Sequence, residues 1–488
     1  MTFYSVKFCA IMAFTLFFSF IFKSVFKSQK NNFIKSYSLI LLISSYLFIG
    51  LANHKYLISI IFITFVVYLS TLAISKSKNQ SNKKIFLVIS VIICLGMLGI
   101  YKYLNFFVDS ISKIFNLNNN FEIKLLVPIG ISFYIFTAIS YIVDVYKSKI
   151  EFEKNIINVA LYLAFFPKLI SGPIVRSNDF LCELHSGNCV SIKNIEIGIQ
   201  IFLFGFIKKI IFAGRLGLFV DDVYKTPYAF SSFTVILAVI SYALQIYFDF
   251  SGYSDMAIGI AKCLGFNFKP NFNMPYISKN ITEFWKRWHI SLSSWLQDYL
   301  YIPLGGNRKG ELRAYINLFI TMLLGGLWHG ANITFIIWGA IIGIALIIHK
   351  LFLKFKVRTN IKGNILTDSI SVLFTFIYIC ITWIFFRAES ITNAFDILKK
   401  CFNFSSGINQ PFTWTFISIA TVIIATSLGI YKSRKNGDKD RKGRKTVNGY
   451  YPIMNLEKFL PLTIFITVAG IAIIAAYTGE NPFIYGKF

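Results

Sequence analysis

The sequence predicts an all-α, polytopic membrane protein, and three observations carry the prediction. Apolar runs of 16 to 22 residues recur along the whole chain, and a run of about 18 with few charges is long enough to cross a bilayer. Only 15% of the 488 residues are charged, 56% are hydrophobic and the mean hydropathy is +0.62; a soluble domain carries about 25% charged residues. The basic residues behind the net charge of +27 sit in short loops between the apolar runs, which is how a positive-inside bias looks.

The same loop pattern argues against nucleic acid as the reason for the basic charge. Loop lysines between spans orient the chain and attract anionic membrane lipid. The seven cysteines are scattered and show no CxxC spacing, so they are assigned no chemistry. No metal-ligand cluster is present in the sequence, and no resident cofactor is expected.

Taken in order, the first run, Phe3–Phe22, holds Lys7 and lacks a small-residue cleavage site after it. It reads as a retained span. Basic clusters follow at Lys23–Lys35, Lys76–Lys84, Lys147–Lys154, Lys262–Arg313, Lys350–Lys362 and within 431–447. With all of them in the cytoplasm, spans at Tyr37–Leu51, Leu57–Ile74, Ile85–Tyr101 and Leu126–Tyr146 alternate in direction. Ile370–Phe386, Phe412–Tyr431 and Phe459–Tyr477 alternate likewise, and both termini fall outside. Ile156–Ile170 is short and runs into Gly172–Pro173, which predicts a re-entrant element. Ile192–Ala213 and Phe230–Phe250 complete the set. No internal repeat is visible, and a single membrane-embedded domain is expected over 1–488.

The first chemistry-bearing stretch is LLGGLWHGAN, Leu323–Asn332. Basic residues flank the hairpin at both ends. Its leading arm, Ala314–Leu327, has 14 residues and would reach about 21 Å, short of a hydrocarbon core of about 30 Å. The turn, with its glycines, is therefore expected part-way across the membrane, carrying His329 there. An ionisable side chain at that depth is a functional-site hypothesis by default. The competing structural reading is a neutral histidine satisfied by a neighbouring carbonyl.

The second is NITEFWKRWHISLSSWLQDYLYIPLGGNR, Asn280–Arg308. Asn280 and Glu283 have capping-box spacing. Ile281, Phe284, Trp285, Trp288, Leu292, Trp295 and Leu296 share one helical face, with Lys286 and Arg287 opposite. That pattern predicts one amphipathic helix lying in the membrane interface, with His289 at the border of the stripe. GGNRKG lacks the ending of a P-loop, yet a basic turn of this kind can hold phosphate. A third group, Asp144, Asp249 and Asp255, lies in or beside apolar spans. Buried carboxylates need partners, and Arg176, Lys286 and Arg287 are the candidates.

Together these blocks resemble the membrane-bound O-acyltransferases, in particular the bacterial alginate and peptidoglycan O-acetylation group, related to teichoic-acid D-alanyl transferases. FYIFTAISYIVDVYKSK, LYLAFFPKLISGPIVRSNDF, QIYFDFSGYSDMAIGIAKCLGF, the Asn280–Arg308 block, LLGGLWHGAN and TWIFFRA follow the family's order over about 133–388, and the chain ends in a similar NPFIYGKF. The resemblance implies a ring of about 11–12 transmembrane helices, with short re-entrant or interfacial helices, around a central tunnel. It implies that His329 is the catalytic histidine and His289 a supporting one. It implies an acyl thioester donor, acetyl-CoA or an acyl carrier, arriving from the cytoplasmic side of a bacterial inner membrane. The acceptor would be a hydroxyl of a cell-envelope polysaccharide, or of an extracytoplasmic esterase-like partner protein that acylates it.

In that reading His329 is the general base on the acceptor hydroxyl. Burial favours the neutral imidazole such work needs. His289 or nearby amides could polarise the thioester carbonyl. Lys286, Arg287 and Arg308 are placed to bind donor phosphates, with Asn280, Asp298 and Trp328 as supporting residues. D-alanyl transfer from an acyl carrier protein to teichoic acid is the alternative within the class. A transporter or flippase component is the alternative outside it, since broken helices and midplane polar groups suit transporters too.

Overall fold

The structure, a computed structural model, describes residues 3–115, 125–359, 364–436, 454, 456 and 459–474. Most of the basic loop at 431–447 and the NPFIYGKF end lie outside the described residues. Among those described, the chain is a succession of helices: α1 Val6–Val25, α2 Lys30–Ala52, α3 Lys55–Lys76, α4 Gln80–Ile114, α5 Ile131–Tyr146, α6 Ile156–Ala164, α7 Phe166–Leu169, α8 Ser177–Ser186, α9 Ile192–Phe206, α10 Gly214–Lys225 and α11 Ser232–Cys263. There follow α12 Ile281–Arg287, α13 Ile290–Leu296, α14 Glu311–His329, α15 Ile333–Thr359, α16 Ile365–Arg387, α17 Ile391–Phe402, α18 Thr413–Asn436 and α19 Phe459–Ile474. Nine helical segments among the described residues are long and apolar enough to cross a membrane, and Ile131–Tyr146 and Leu462–Ala472 are shorter apolar helices. The predicted fold class, an all-helical polytopic membrane protein, holds.

The chain divides into two compact units, Met1–Phe202 with Met256–Lys269, and Leu203–Asp255 with Pro270–Phe488. In the first, α1 and α2 pack through small polar residues. Thr15 Oγ1 donates to Ser44 Oγ at 2.7 Å, and Ser38, Ser44 and Ser45 are buried. Small residues let helices approach closely where lipid offers no competing hydrophobic force. The re-entrant element breaks earlier than expected, at Phe165 between α6 and α7. The physical reason is Pro167, which has no N–H to continue the α6 ladder.

In the second unit, the helix begun by α9 does not stop at Ala213. It passes through a π-helical segment, Ile207–Ala213, into α10. The wider turn presents Lys208 and Lys209 together to α11, where Lys209 pairs with Asp249 and Lys208 lies 2.7 Å from Asp255. These two lysines, which were not among the expected candidates Arg176, Lys286 and Arg287, pair with the two carboxylates. They lay unnoticed inside an apolar run, because α-helical spacing does not aim consecutive residues at one neighbour. The core of this unit is aromatic. Trp288, Trp338 and Trp383 are all buried, with Trp338 and Trp383 stacked at 5.8 Å and Trp288 5.0 Å from Trp383.

Candidate active site

α14 carries the first histidine. It has 19 residues and runs about 28 Å, longer than the 14-residue arm expected because Glu311–Arg313 join it, and it is not among the segments apolar enough to cross a membrane. Gly325 and Gly326 are helical instead of forming the turn. A Cβ on Gly326 would meet the Phe335 carbonyl oxygen at 2.3 Å, and one on Gly339 would meet the Met322 carbonyl oxygen at 2.5 Å. The glycines let α14 and α15 lie backbone to backbone. The turn comes after His329, where Asn332 Oδ1 accepts from the Thr334 N–H at 3.0 Å and caps α15.

His329 thus ends its helix, 5% exposed. Aromatic rings from two further helices enclose it: Trp338 on α15 at 5.2 Å and Phe386 on α16 at 5.1 Å, both edge to face. Trp328, the preceding residue, lies 4.9 Å from it.

The second histidine sits where the predicted amphipathic helix breaks. Asn280 caps α12, accepting from the Glu283 N–H at 2.8 Å, while Glu283 reaches the Lys279 N–H and not that of Asn280. After Arg287 the chain turns at Trp288, and His289 adopts φ +42 before α13 begins. The tryptophan stripe therefore faces protein and not lipid headgroups: Trp288 is 1% exposed, and Trp285 meets Trp338 at 5.8 Å. A Trp-rich stripe has one sequence signature in both settings, and here its partners are protein side chains. His289 is 1% exposed, against Phe250 at 4.6 Å and Trp328 at 6.5 Å. Burial pushes its imidazole down to about 3, because a charged ring loses its hydration there. Trp328 stands between the two histidines, in ring contact with each.

A cavity of about 390 Å³ opens beside this cluster, lined among others by Trp285, Lys286, Tyr301, Asn307, Met322 and Lys350. Two tryptophans connect its wall to His329: Trp285 lines it, Trp285 touches Trp338, and Trp338 touches His329. Of the residues expected to bind donor phosphates, Lys286 is at this cavity. Arg287 is not; it pairs with Glu283 at 2.9 Å and donates to the Asn273 carbonyl at 3.1 Å. Arg308 is exposed and does not line it. Asp298 lies half-buried in the π-helical segment Gln297–Tyr301, also outside the cavity wall.

The glycine turn instead supplies Asn307. Gly305 and Gly306 have φ +117 and +53, values that suit glycine. The buried Asn317 holds the turn by donating to the Gly306 carbonyl at 3.1 Å. Asn307 Oδ1 then accepts from Tyr301 OH at 2.7 Å and from Lys350 Nζ at 2.9 Å. Lys350 and Tyr301 line the cavity and were not among the candidates expected from the sequence. In the sequence Lys350 stands only as the first residue of a basic cluster flanking an apolar run. His349, beside it, is 2.8 Å from Thr282 Oγ1, which lines the same cavity.

A polytopic helical fold enclosing two buried histidines, with a cation-flanked cavity nearby, defines a membrane-embedded enzyme. The chain belongs to the membrane-bound O-acyltransferase family, whose family model matches residues 146–388. It is a membrane-bound O-acyltransferase. It is 41% identical to a "Probable alginate O-acetylase" of Pseudomonas putida, over 80% of each chain. It is 35% identical to a peptidoglycan O-acetyltransferase of Helicobacter pylori, over 74% of this chain and 72% of that one. A teichoic acid D-alanyltransferase of Bacillus subtilis is 26% identical over 54% of this chain and 70% of its own.

Proposed function

We propose that the enzyme transfers an acetyl group from a thioester donor to a hydroxyl of a cell-envelope polysaccharide, or of a partner protein that passes it on. The observation that carries this reading is His329, enclosed by aromatic rings at the end of α14 and two tryptophans from a cavity bearing Lys286 and Lys350. In the reaction His329 takes the proton of the acceptor hydroxyl as its oxygen attacks the thioester carbonyl. The tetrahedral intermediate then expels the thiolate, which takes that proton and leaves as the thiol. Lys286 and Lys350 hold the donor's phosphates by charge-assisted bonds. Lys286 and Lys350 belong to basic clusters that a positive-inside bias places in the cytoplasm, which supports a cytoplasmic donor, and the bacterial relatives support a bacterial inner membrane.

Acetyl is favoured over D-alanyl because the acetylating relatives share 41% and 35% identity over most of the chain, and the D-alanyl one 26% over about half. Disruption of the gene tests the reading. The expected result is loss of alkali-labile acetyl from one envelope polysaccharide, restored by the wild-type gene. Unchanged ester content in every envelope glycan overturns it, and loss of ester-linked alanine alone selects the D-alanyl alternative.

A further inference from the structure

Asn271 precedes the broken helix and is 1% exposed. Its side-chain oxygen collects three neighbours: the Ser291 N–H at 3.1 Å, the Ser291 hydroxyl at 2.9 Å and His289 Nδ1 at 3.2 Å. Its amide nitrogen donates to Ser254 Oγ at 3.4 Å, and its backbone carbonyl accepts from the Ile290 N–H at 2.9 Å.

This pattern settles the orientation of the Asn271 amide and the tautomer of His289. A backbone N–H is always a donor, so the Asn271 atom facing Ser291 N must be the oxygen. An oxygen facing His289 Nδ1 then requires Nδ1 to carry the hydrogen. A neutral imidazole has one N–H, so Nε2 bears the lone pair. Nε2 is buried and has no hydrogen-bond partner among the described residues. The backbone adds a second sign of construction. His289 holds φ +42, which is uncommon for a side-chain-bearing residue and clusters at functional sites. The Asn271 carbonyl on the Ile290 N–H ties that conformation down.

We infer that Asn271 is a positioning residue that fixes His289 in its Nδ1–H form and makes Nε2 a dedicated hydrogen-bond acceptor in the acyl-transfer site. The geometry stands by itself; the purpose rests on the acyl-transfer reading above. In this form His289 can accept from a hydroxyl or thiol, and so belongs to the proton's path between acceptor and leaving group. It has no hydrogen to offer a thioester carbonyl, so polarising that carbonyl falls to other N–H groups.

The test uses the full chain in lipid bilayers, labelled with 15N in its histidine rings, and solid-state NMR. The His289 resonances are identified by their loss in His289→Gln. The expected wild-type spectrum shows a protonated Nδ1 and a bare Nε2 for His289. Asn271→Leu is expected to lose that pattern and to cut acetyl transfer on the order of 100-fold. Asn271→Asp, which still accepts from both N–H groups, is expected to keep it. A wild-type His289 protonated at Nε2 overturns the inference, and so does Asn271→Leu with spectrum and rate unchanged. The wild-type spectrum carries the tautomer test; should His289→Gln fail to fold, sequential correlation to Ile290 in 13C,15N-labelled wild type assigns the ring. The spectrum also needs no turnover: a protonated Nδ1 with no acyl transfer to any glycan upholds the tautomer and defeats the acyl-transfer reading.

Discussion

The imidazole of His329 meets the indole of Trp338 edge to face, with ring centroids 5.2 Å apart and planes at 86°. Trp338 in turn stacks on Trp383 and touches Trp285 at the cavity wall, so one buried ring packs the histidine against the tryptophans that lead to the cavity. Trp338→Ala removes that ring and is expected to lower stability by about 3–5 kcal/mol, with transfer falling in step. Trp338→Phe keeps an aromatic edge and is expected to retain most of both. Thermal unfolding in detergent, beside acetyl transfer, measures the pair.

Lys286 and Lys350 are expected to act on donor binding and not on the chemical step. Replacing either with Ala should raise KM for the thioester roughly 3- to 10-fold, with kcat little changed, since a charge-assisted hydrogen bond contributes about 1.5–3 kcal/mol before solvent screening is discounted. The effect should shrink at high salt. Initial rates against donor concentration at two ionic strengths check it.

The buried pair of Lys209 and Asp249, each 3% exposed, makes a structural prediction. Removing one partner leaves a buried charge, so Asp249→Leu should cost about 3–5 kcal/mol. Lys209→Met together with Asp249→Leu should recover most of that loss. Unfolding of the two single variants and the double variant measures the coupling.

These cases show what was legible in the sequence. The helical, membrane-spanning class could be read because length and apolarity are local properties. The two histidines could be found because each stands in an apolar stretch with a recognisable local pattern, and the resemblance supplied their expected roles. Three features could not be read, each because it depends on tertiary partners. The Trp285 and Trp288 stripe packs against Trp338 and Trp383 instead of lipid. The helix break at His289 is held by Asn271, from a separate segment. Lys208 and Lys209 reach their carboxylates only because the helix widens there. The place of the turn could not be read either, since Gly326 serves the close approach of α15 and not a change of chain direction.

Stability should depend on pH through His289. Its folded value is pushed down to about 3, while an unfolded histidine titrates near 6.5. Below about 6.5 the unfolded state therefore binds a proton that the folded state refuses. Stability is full above that value and falls as pH drops, on the order of 1 kcal/mol per unit until pH nears 3. His289→Gln should flatten this slope. Unfolding midpoints between pH 7 and pH 4 compare the two proteins.

The central claim is that His329 takes the proton of the acceptor hydroxyl. The direct measurement is transfer of labelled acetyl from a thioester to a hydroxyl acceptor by purified protein in bilayers, wild type against His329→Ala. The account predicts a loss on the order of 100- to 10,000-fold, with the unfolding midpoint and helical content retained. A folded His329→Ala enzyme that transfers acetyl at the wild-type rate would contradict it.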